Sequence, residues 1–328
     1  MDGNKNQKVN IIIVNYNSWK DTVACISSII NSTYNNYQIF VVDNASPNDD
    51  VEHLYNWLKS NELNSLIIDV KEPSVYKKVN LIDNSKIIIF KNDENLGYGA
   101  GNNLAIQYLI NSRNNEYLWL LNPDTTVQKE VLSHLVQLAY EKENMIFGNV
   151  MYHYYDQNKM IRYGGFRVNK LYHGVSYITK QKEVESMDSV SGASLFTDIK
   201  TFQHLGLFPE HYFMYWEETD FCAHAKNNGY TFGVNNKSKV FDKGGTESNS
   251  NFSREYLYLL NGLRYYKKYY PMYLPVILLS TLGKWTKALL FGSRSKRKAM
   301  FYGQLDFVLT VLGQTINIRK RIFNNSHY

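Results

Sequence analysis

At 328 residues, 44% of them hydrophobic and 20% charged, the chain has material for one large α/β domain or a domain with an appendage, and needs no staples to hold a core. Its two cysteines, Cys25 and Cys222, are too few for a disulfide framework and lack metal-ligand spacing; this excludes a cysteine-rich secreted scaffold and leaves them as small hydrophobes in a reducing compartment. The net charge of +6 is unevenly held, because residues 254–328 carry 13 Lys and Arg against 2 acidic residues while the remainder is net acidic.

The opening MDGNKNQKVN has no apolar run, so no secretory signal is expected and the cytoplasm is the default compartment. VNIIIVNY (9–16) predicts a strand, WKDTVACISSII (19–30) a helix, YQIFVVDN (37–44) a second strand and VEHLYNWLK (51–59) a second helix. Residues 62–85 are less regular and read as an insertion with a short strand at LIIDV. KIIIFKN (86–92) is a strand, 102–112 a helix, and YLWLLNPDTTV (117–127) an apolar strand that stops abruptly at an acid. Thr125 and Gln128 then have capping-box spacing, with Val127, Val131, Leu135 and Leu138 marking the face of a helix. Residues 146–245 are mixed, with short strands at IFGNVMYH and YTFGVNN, and residues 254–328 are largely helical in character. Strands alternating with helix-period segments predict a parallel sheet covered by helices.

In such a sheet, ligands bind beyond the carboxyl ends of the strands. Three ends carry polar residues: Asn15-Tyr16-Asn17, Asp43-Asn44 and Asn122-Pro123-Asp124. Any one of these is an ordinary turn or cap, but three on one rim point to a site. ENLGYGAGNN (94–103), which includes Asn95, Gly97 and Asn102, follows a strand and opens a helix, so its backbone can approach an anion closely, although it lacks the G-x-G-x-x-G fingerprint. FPEHYFMYWEETDFCAHAKNNGY (208–230) sets Glu217, Glu218 and Asp220 among aromatic residues at the start of a helix. Grouped acids in apolar surroundings acquire the raised pKa of a general base; an acidic first turn stabilised by the helix dipole is the plainer alternative.

Taken in order over about residues 9–250, IIIVNYNS, VVDNAS, ENLGYGAGNN, LLNPDT, VSGAS and YFMYWEETDFCAHAKNNGY resemble the family 2 glycosyltransferases, especially their bacterial rhamnosyltransferase-like branch. The resemblance implies an α/β GT-A fold over residues 1–250, with a Rossmann-like nucleotide-sugar half (about 1–125) and an acceptor half (about 126–250), followed by a basic, amphipathic helical region at 251–328. It also implies a nucleotide-sugar donor and a divalent cation, Mg²⁺ or Mn²⁺. Asn15, Tyr16, Asp43, Asn44, Asn95, Gly97, Asn102 and Asn122 would hold the donor, Asp43 taking its base or ribose. Asp124 resembles the metal-binding acid of the family's D-x-D motif, with Asn122 in the first position. Glu218 resembles the catalytic base, more often an Asp in an E-D pair; it would deprotonate the acceptor hydroxyl in a single inverting displacement, with Glu217 and Asp220 positioning acceptor or helix. In KVFDKGGTES (239–248), Asp242 stands where the family often has His; a carboxylate can replace imidazole on Mg²⁺, and Asp242 is equally a turn residue. VSGAS (190–194) would line the acceptor side.

The implied reaction moves a sugar from dTDP-rhamnose or a UDP-hexose to a hydroxyl of a growing bacterial surface glycan, such as O-antigen, capsule or cell-wall polysaccharide, on a lipid carrier. A nucleotidyltransferase is one rival, but it would need a basic Gly-rich loop after the first strand, which NYNSWKD does not provide. A non-catalytic glycan-binding relative is the other. PMYLPVILLSTLGKWTKALLFG (271–292), interrupted by Lys284 and Lys287 and followed by SRSKRK, reads as too short for a comfortable span. With Trp285 and Phe291 it predicts an amphipathic surface at an anionic lipid interface, peripheral on the inner face of the cell membrane; the plainer alternative is a helical pair with a solvated basic face. No nucleic-acid module is recognisable. Aromatic-rich C-terminal helices make a homodimer a further expectation.

Overall fold

The computed structural model describes residues 6–70, 85–112, 116–244 and 252–325; residues 71–84 of the irregular stretch 62–85 and the end of KVFDKGGTES lie outside the described residues. The first half alternates β1 (Val9–Asn15), α1 (Trp19–Ile30), β2 (Tyr37–Asp43), α2 (Asp50–Ser60), β3 (Ser65–Val70), β4 (Ile87–Asn92), α3 (Tyr98–Ser112) and β5 (Tyr117–Leu121). There follow β6 (Thr125–Val127), α4 (Val131–Glu141), β7 (Met145–His153), β8 (Met160–Tyr163), β9 (Gly165–Val168), β10 (Val175–Tyr177), β11 (Ser189–Val190), β12 (Ser194–Asp198), α5 (Ile199–Leu205), α6 (Glu217–Asn227) and β13 (Thr231–Asp242). Four helices close the chain: α7 (Phe252–Tyr269), α8 (Leu274–Phe291), α9 (Arg294–Val311) and α10 (Ile318–Phe323).

The main sheet runs β3-β4-β2-β1-β5-β12-β7-β13-β6, with β8 added to β7. Its first five strands are mutually parallel. The antiparallel strand β12 then joins β5 to β7. Every residue of β1, β2 and β5 is buried, as a parallel sheet covered on both faces requires. One face, with Ile12, Phe40, Ile88 and Leu120, packs on α3, and the other, with Ile11, Val41, Trp119 and Leu121, packs on α1 and α4. A third core joins Tyr212 and Trp216 to Tyr256, Leu260 and Tyr266 of α7, Ile277 of α8 and Phe307 of α9.

Two local expectations are corrected. Thr125 does not cap a helix: Thr125–Val127 is a strand, its residues pairing with Val240–Asp242 of β13, and the Gln128 side chain accepts from the Lys239 N–H at 2.8 Å. Helix α4 starts only at Val131, with no side-chain cap. A distant strand claimed the backbone that local spacing offered to a helix. The apolar C-terminal run is also not short, because the turn at Pro271–Tyr273 continues into α8. Among the described residues, Pro271–Phe291 is the one helix long and apolar enough to cross a membrane by length and composition, and only 17% of its most apolar 18-residue window is buried. The expected strand at LIIDV is β3, at the sheet edge beside β4.

Candidate active site

The sheet order places the ends of β2, β1 and β5 side by side, with Asn15 in register with Asp43. Asn15 is fully buried, and its Nδ2 donates to Asp43 Oδ1 (2.8 Å) and Asp50 Oδ2 (3.1 Å), while its Oδ1 accepts from Thr22 (2.7 Å). Asp43 also accepts from Ser46 Oγ (2.6 Å) and Ser46 N (3.1 Å), and Asp50 Oδ2 accepts from the N–H groups of Ser18 and Trp19. Asp43 is 2% exposed, turned into this frame more than toward solvent, with Oδ2 left able to take one more donor. Tyr16, 44% exposed, stands at the tip of β1. Non-glycine residues in the left-handed region follow both strands, Asn17 (φ 51°) and Ala45 (φ 59°), a local strain that clusters at ligand-binding turns.

Asn44 pins the glycine-rich turn to this rim. Its Nδ2 donates to Asn95 Oδ1 (3.0 Å) and the Gly97 carbonyl (2.9 Å), and its Oδ1 accepts from the Leu96 N–H (3.0 Å). Gly97 has φ +83°, and a Cβ there would lie 2.0 Å from the Phe213 carbonyl, so only glycine fits. The Asn102 side chain is spent inside α3, donating to Tyr98 O at 2.9 Å. Asn103, which the sequence reading passed over, grips the Phe208 backbone with both donor and acceptor at 2.9 Å, locking α3 to the segment ahead of α6.

Asp124 follows β5 through the tight turn in which Thr125 Oγ1 donates to Asn122 O (2.6 Å). Its Oδ1 is buried without a partner, as is Asn122 Oδ1. Burial first, then the nearby charge of Asp242, holds the Asp124 carboxyl up at about 6, against a lowering by Arg162. Asp242 ends β13 opposite Thr125; its Oδ2 accepts from Arg162 Nη2 (2.7 Å) and its Oδ1 from the Gly244 N–H (2.7 Å). Arg162, which no sequence signal singled out, also donates to Ser191 Oγ (3.2 Å), and its Nε is a buried donor without a partner. Lys243 pairs with Asp21 of α1 at the same edge.

The acid-rich turn of α6 separates its three carboxylates. Glu217 is 3% exposed and lies under α3, whose Gly99 would place a Cβ 3.3 Å from Glu217 Cγ. Glu218 is half-buried beside Gly192 of the VSGAS turn, where a Cβ would meet its Cγ at 3.3 Å. Each keeps a buried Oε2 without a partner. Burial raises both carboxyls, that of Glu217 well above the ordinary range with the Glu218 charge adding to it; for Glu218, backbone N–H groups and the Arg162 charge pull the other way. The Tyr98 hydroxyl donates to Gly192 O (2.7 Å), and burial, then the charges of Glu218, Glu217 and Asp124, raise it, so all three acids lie within electrostatic reach of one hydroxyl.

Asp220 lies elsewhere. It is 1% exposed, and its oxygens accept from Tyr212 (2.8 Å), Tyr269 (2.9 Å) and Lys268 (2.7 and 2.9 Å), so the expected positioning acid ties α6 to α7 and does not face the cleft. Ahead of α6, Phe213 (φ 62°), Tyr215 (φ 66°) and Trp216 (φ 78°) all sit in the left-handed region, at a cost on the order of 1–3 kcal/mol each. Asn261 of α7 holds them by donating from Nδ2 to the carbonyls of Tyr212 (2.6 Å), Met214 (2.8 Å) and Tyr215 (3.3 Å). Both Asn103 and Asn261 act on residues more than 45 positions away, and nothing in their local sequence marks them.

A divalent cation fits this donor set at one point. The unpartnered Asp124 Oδ1 and Asn122 Oδ1 are hard oxygen donors. Asp242 stands close, with both its oxygens already accepting. Among the described residues, no group of three or more His, Cys, Asp or Glu forms a complete cage, so a cation here would need ligand oxygens from a bound diphosphate, as Mg²⁺-type sites commonly do.

Comparison with known proteins bears on the same elements. The family model described as glycosyl transferase family 2 matches residues 10–198. The low-salt glycan biosynthesis hexosyltransferase Agl10 of Haloferax volcanii is 24% identical over 236 residues, covering 69% of this chain and 64% of Agl10, so the chain spans less than two thirds of that relative. Among solved structures, GalNAc-T7 with UDP, GalNAc and Mn²⁺ superposes with a TM-score of 0.59 at 15% identity, over 81% of this chain and 49% of that one. The mannosyltransferase PcManGT of Pyrobaculum calidifontis, in complex with GDP-Man and Mn²⁺, gives 0.54 at 12% identity over 97% and 83%. With more than half of its residues matched and the strand order described above, this chain belongs to glycosyl transferase family 2 and has the GT-A fold, extended by C-terminal helices.

Proposed function

We propose that the chain is an inverting, metal-assisted glycosyltransferase that moves a sugar from a nucleoside diphosphate, dTDP-rhamnose or a UDP-hexose, to a hydroxyl of a surface glycan carried on lipid. The observation that carries this reading is that Asp124, Glu217 and Glu218, whose charges all act on the Tyr98 hydroxyl, each hold a buried carboxylate oxygen without a protein partner. Such orphans are expensive unless a ligand completes them. The nucleoside lies along the β1–β2 rim, with Tyr16 as the accessible ring and Asp43 offering its remaining acceptor capacity. The diphosphate reaches Asn122 and Asp124, where a bound cation would offset charge on the departing nucleotide, and the buried Arg162 Nε–H is a further donor for it. Similarity to GalNAc-T7 with UDP and Mn²⁺ and to PcManGT with GDP-Man and Mn²⁺ supports this donor class.

On the acceptor side, Glu218 is the better base of the pair, because it is half-buried and meets the VSGAS turn while Glu217 is enclosed under α3. As the acceptor oxygen bonds to the anomeric carbon, the bond from that carbon to the diphosphate oxygen breaks and the hydroxyl proton passes to Glu218. Burial and the neighbouring charge raise the Glu217 carboxyl well above its ordinary range, while backbone N–H groups and Arg162 oppose the rise at Glu218, which favours Glu218 as the charged member. A single base and a single displacement invert the anomeric centre. The test is a thermal-shift screen of nucleoside diphosphates and nucleotide sugars with and without Mn²⁺. A melting temperature raised by one base series, more strongly with metal, is expected; no shift with any nucleotide under either condition would sink the assignment.

A further inference from the structure

The C-terminal helices carry an apolar surface that the catalytic reading does not use. The buried residues of α8 are Ile277, Thr281 and Ala288, a single stripe facing α7 and α9. The opposite side bears Leu279, Leu282 and Leu290, exposed by 67%, 45% and 74%, and Phe291, 82% exposed, ends the helix beside Ala288. On α9 and its C-cap, Phe301, Leu305, Val308 and Leu312 fall at helical spacing along one exposed stripe, and the Trp285 ring meets that of Phe301 at 6.4 Å, joining the two faces. Cations border this surface: Arg294, Lys296, Arg297 and Lys298 occupy the first turns of α9, and a cleft of about 380 Å³ between α7, α8 and α9 is lined by Lys284, Lys287 and Lys296, with Glu255 as its acid. Lys296 pairs with Glu255 at 3.5 Å and Lys284 donates to His173 O at 2.5 Å.

We infer that α8 and the start of α9 dock the protein onto an anionic bilayer, lying in the plane of the interface with the lysine-lined cleft receiving lipid phosphate. Charge complementarity selects this occupant. A second copy would bring the same excess of 13 cations over 2 acids against itself, whereas anionic headgroups neutralise it. Orientation follows from packing: a helix fastened along one face to the protein presents only its other face to acyl chains, as an interfacial helix does and a spanning one does not. The inference goes beyond the transfer reaction, and its readout is lipid binding alone, so either can fail without the other.

The test is flotation of the full chain with vesicles of phosphatidylcholine alone or mixed with phosphatidylglycerol. Binding to the mixed vesicles, weakened by salt, is expected. Lys287→Glu with Arg297→Glu should weaken it on the order of tenfold, and Leu279→Ser with Leu290→Ser and Phe291→Ser by at least about tenfold. All five positions are exposed, so the thermal melt of each variant should match the parent. Equal binding to uncharged vesicles with no effect of the Glu variant would overturn the inference. So would a dimer in light scattering that the Ser variant dissociates, which gives the face to a second copy, or a chain that leaves membranes only in detergent, which makes α8 a span.

Discussion

The two sides of the cleft are built on opposite principles. On the β1–β2 rim, Asp43 and Asp50 are held by Asn15, Ser46 and backbone N–H groups, a polar frame tied together within the protein, with acceptor capacity left on Asp43 Oδ2. On the facing side, Glu217 is enclosed and Asp124 and Glu218 are half-buried, and each keeps a buried oxygen that no protein group satisfies. A satisfied buried network rigidifies, while an unsatisfied one stores a cost that a ligand releases. On the proposed reading, the first side is a pre-ordered frame for the nucleoside, and the second is where cation, diphosphate and proton transfer act.

If that division holds, substitutions on the two sides should have opposite signatures. The largest effect belongs to Glu218→Gln, which should lower transfer by about 10²–10⁴-fold while nucleotide binding, read by the same thermal shift, is retained. The wild-type rate should rise with pH through the elevated Glu218 value, placing its acid limb above the usual carboxylate range. Loss of nucleotide binding in this variant would show that Glu218 belongs to the donor side.

On the scaffold side, Asn15→Ala leaves Asp43 and Asp50 short of their buried donor and should cost about 1–3 kcal/mol in urea unfolding, with the midpoint moving and the slope unchanged. Asp220→Asn, which loosens α6 from α7, should lie toward the lower end of that range and leave the pH profile of transfer unmoved. A displaced acid limb in Asp220→Asn would return this residue to the cleft.

The smallest effect carries the opposite sign. Because the folded-state pKa of Glu217 is raised, its native form holds a proton more tightly than the unfolded chain does. Stability is lost as pH climbs from the unfolded value through the folded one, and stays lost above it. Glu217→Gln should then melt higher than wild type at pH 8 and alike at pH 4. A variant less stable at both would make Glu217 part of the scaffold.

Much of this was legible in the sequence. Runs such as VNIIIVNY and YQIFVVDN, apolar on both faces, specify strands buried on both faces, and their polar ends specify the rim. The spacing within α6 even carried the separation of its acids, since positions 218 and 220 lie about 200° apart on a helix, although the initial grouping treated them together. What could not be read depends on long-range pairing. Thr125 looks like a cap until β13 is known to lie beside it. Arg162 enters the cleft because β8 pairs with β7, and Asn261 reaches the strained turn before α6 across the packing of α7.

The most direct measurement is calorimetric titration of UDP and dTDP into the wild type and Asp124→Asn, each with and without Mn²⁺. Nucleotide binding to the wild type that strengthens with Mn²⁺, and loses that metal dependence in Asp124→Asn, is the predicted result. Affinity indifferent to Mn²⁺ in the wild type, and unchanged by Asp124→Asn, would contradict the claim that the unpartnered carboxylates await a cation and a diphosphate.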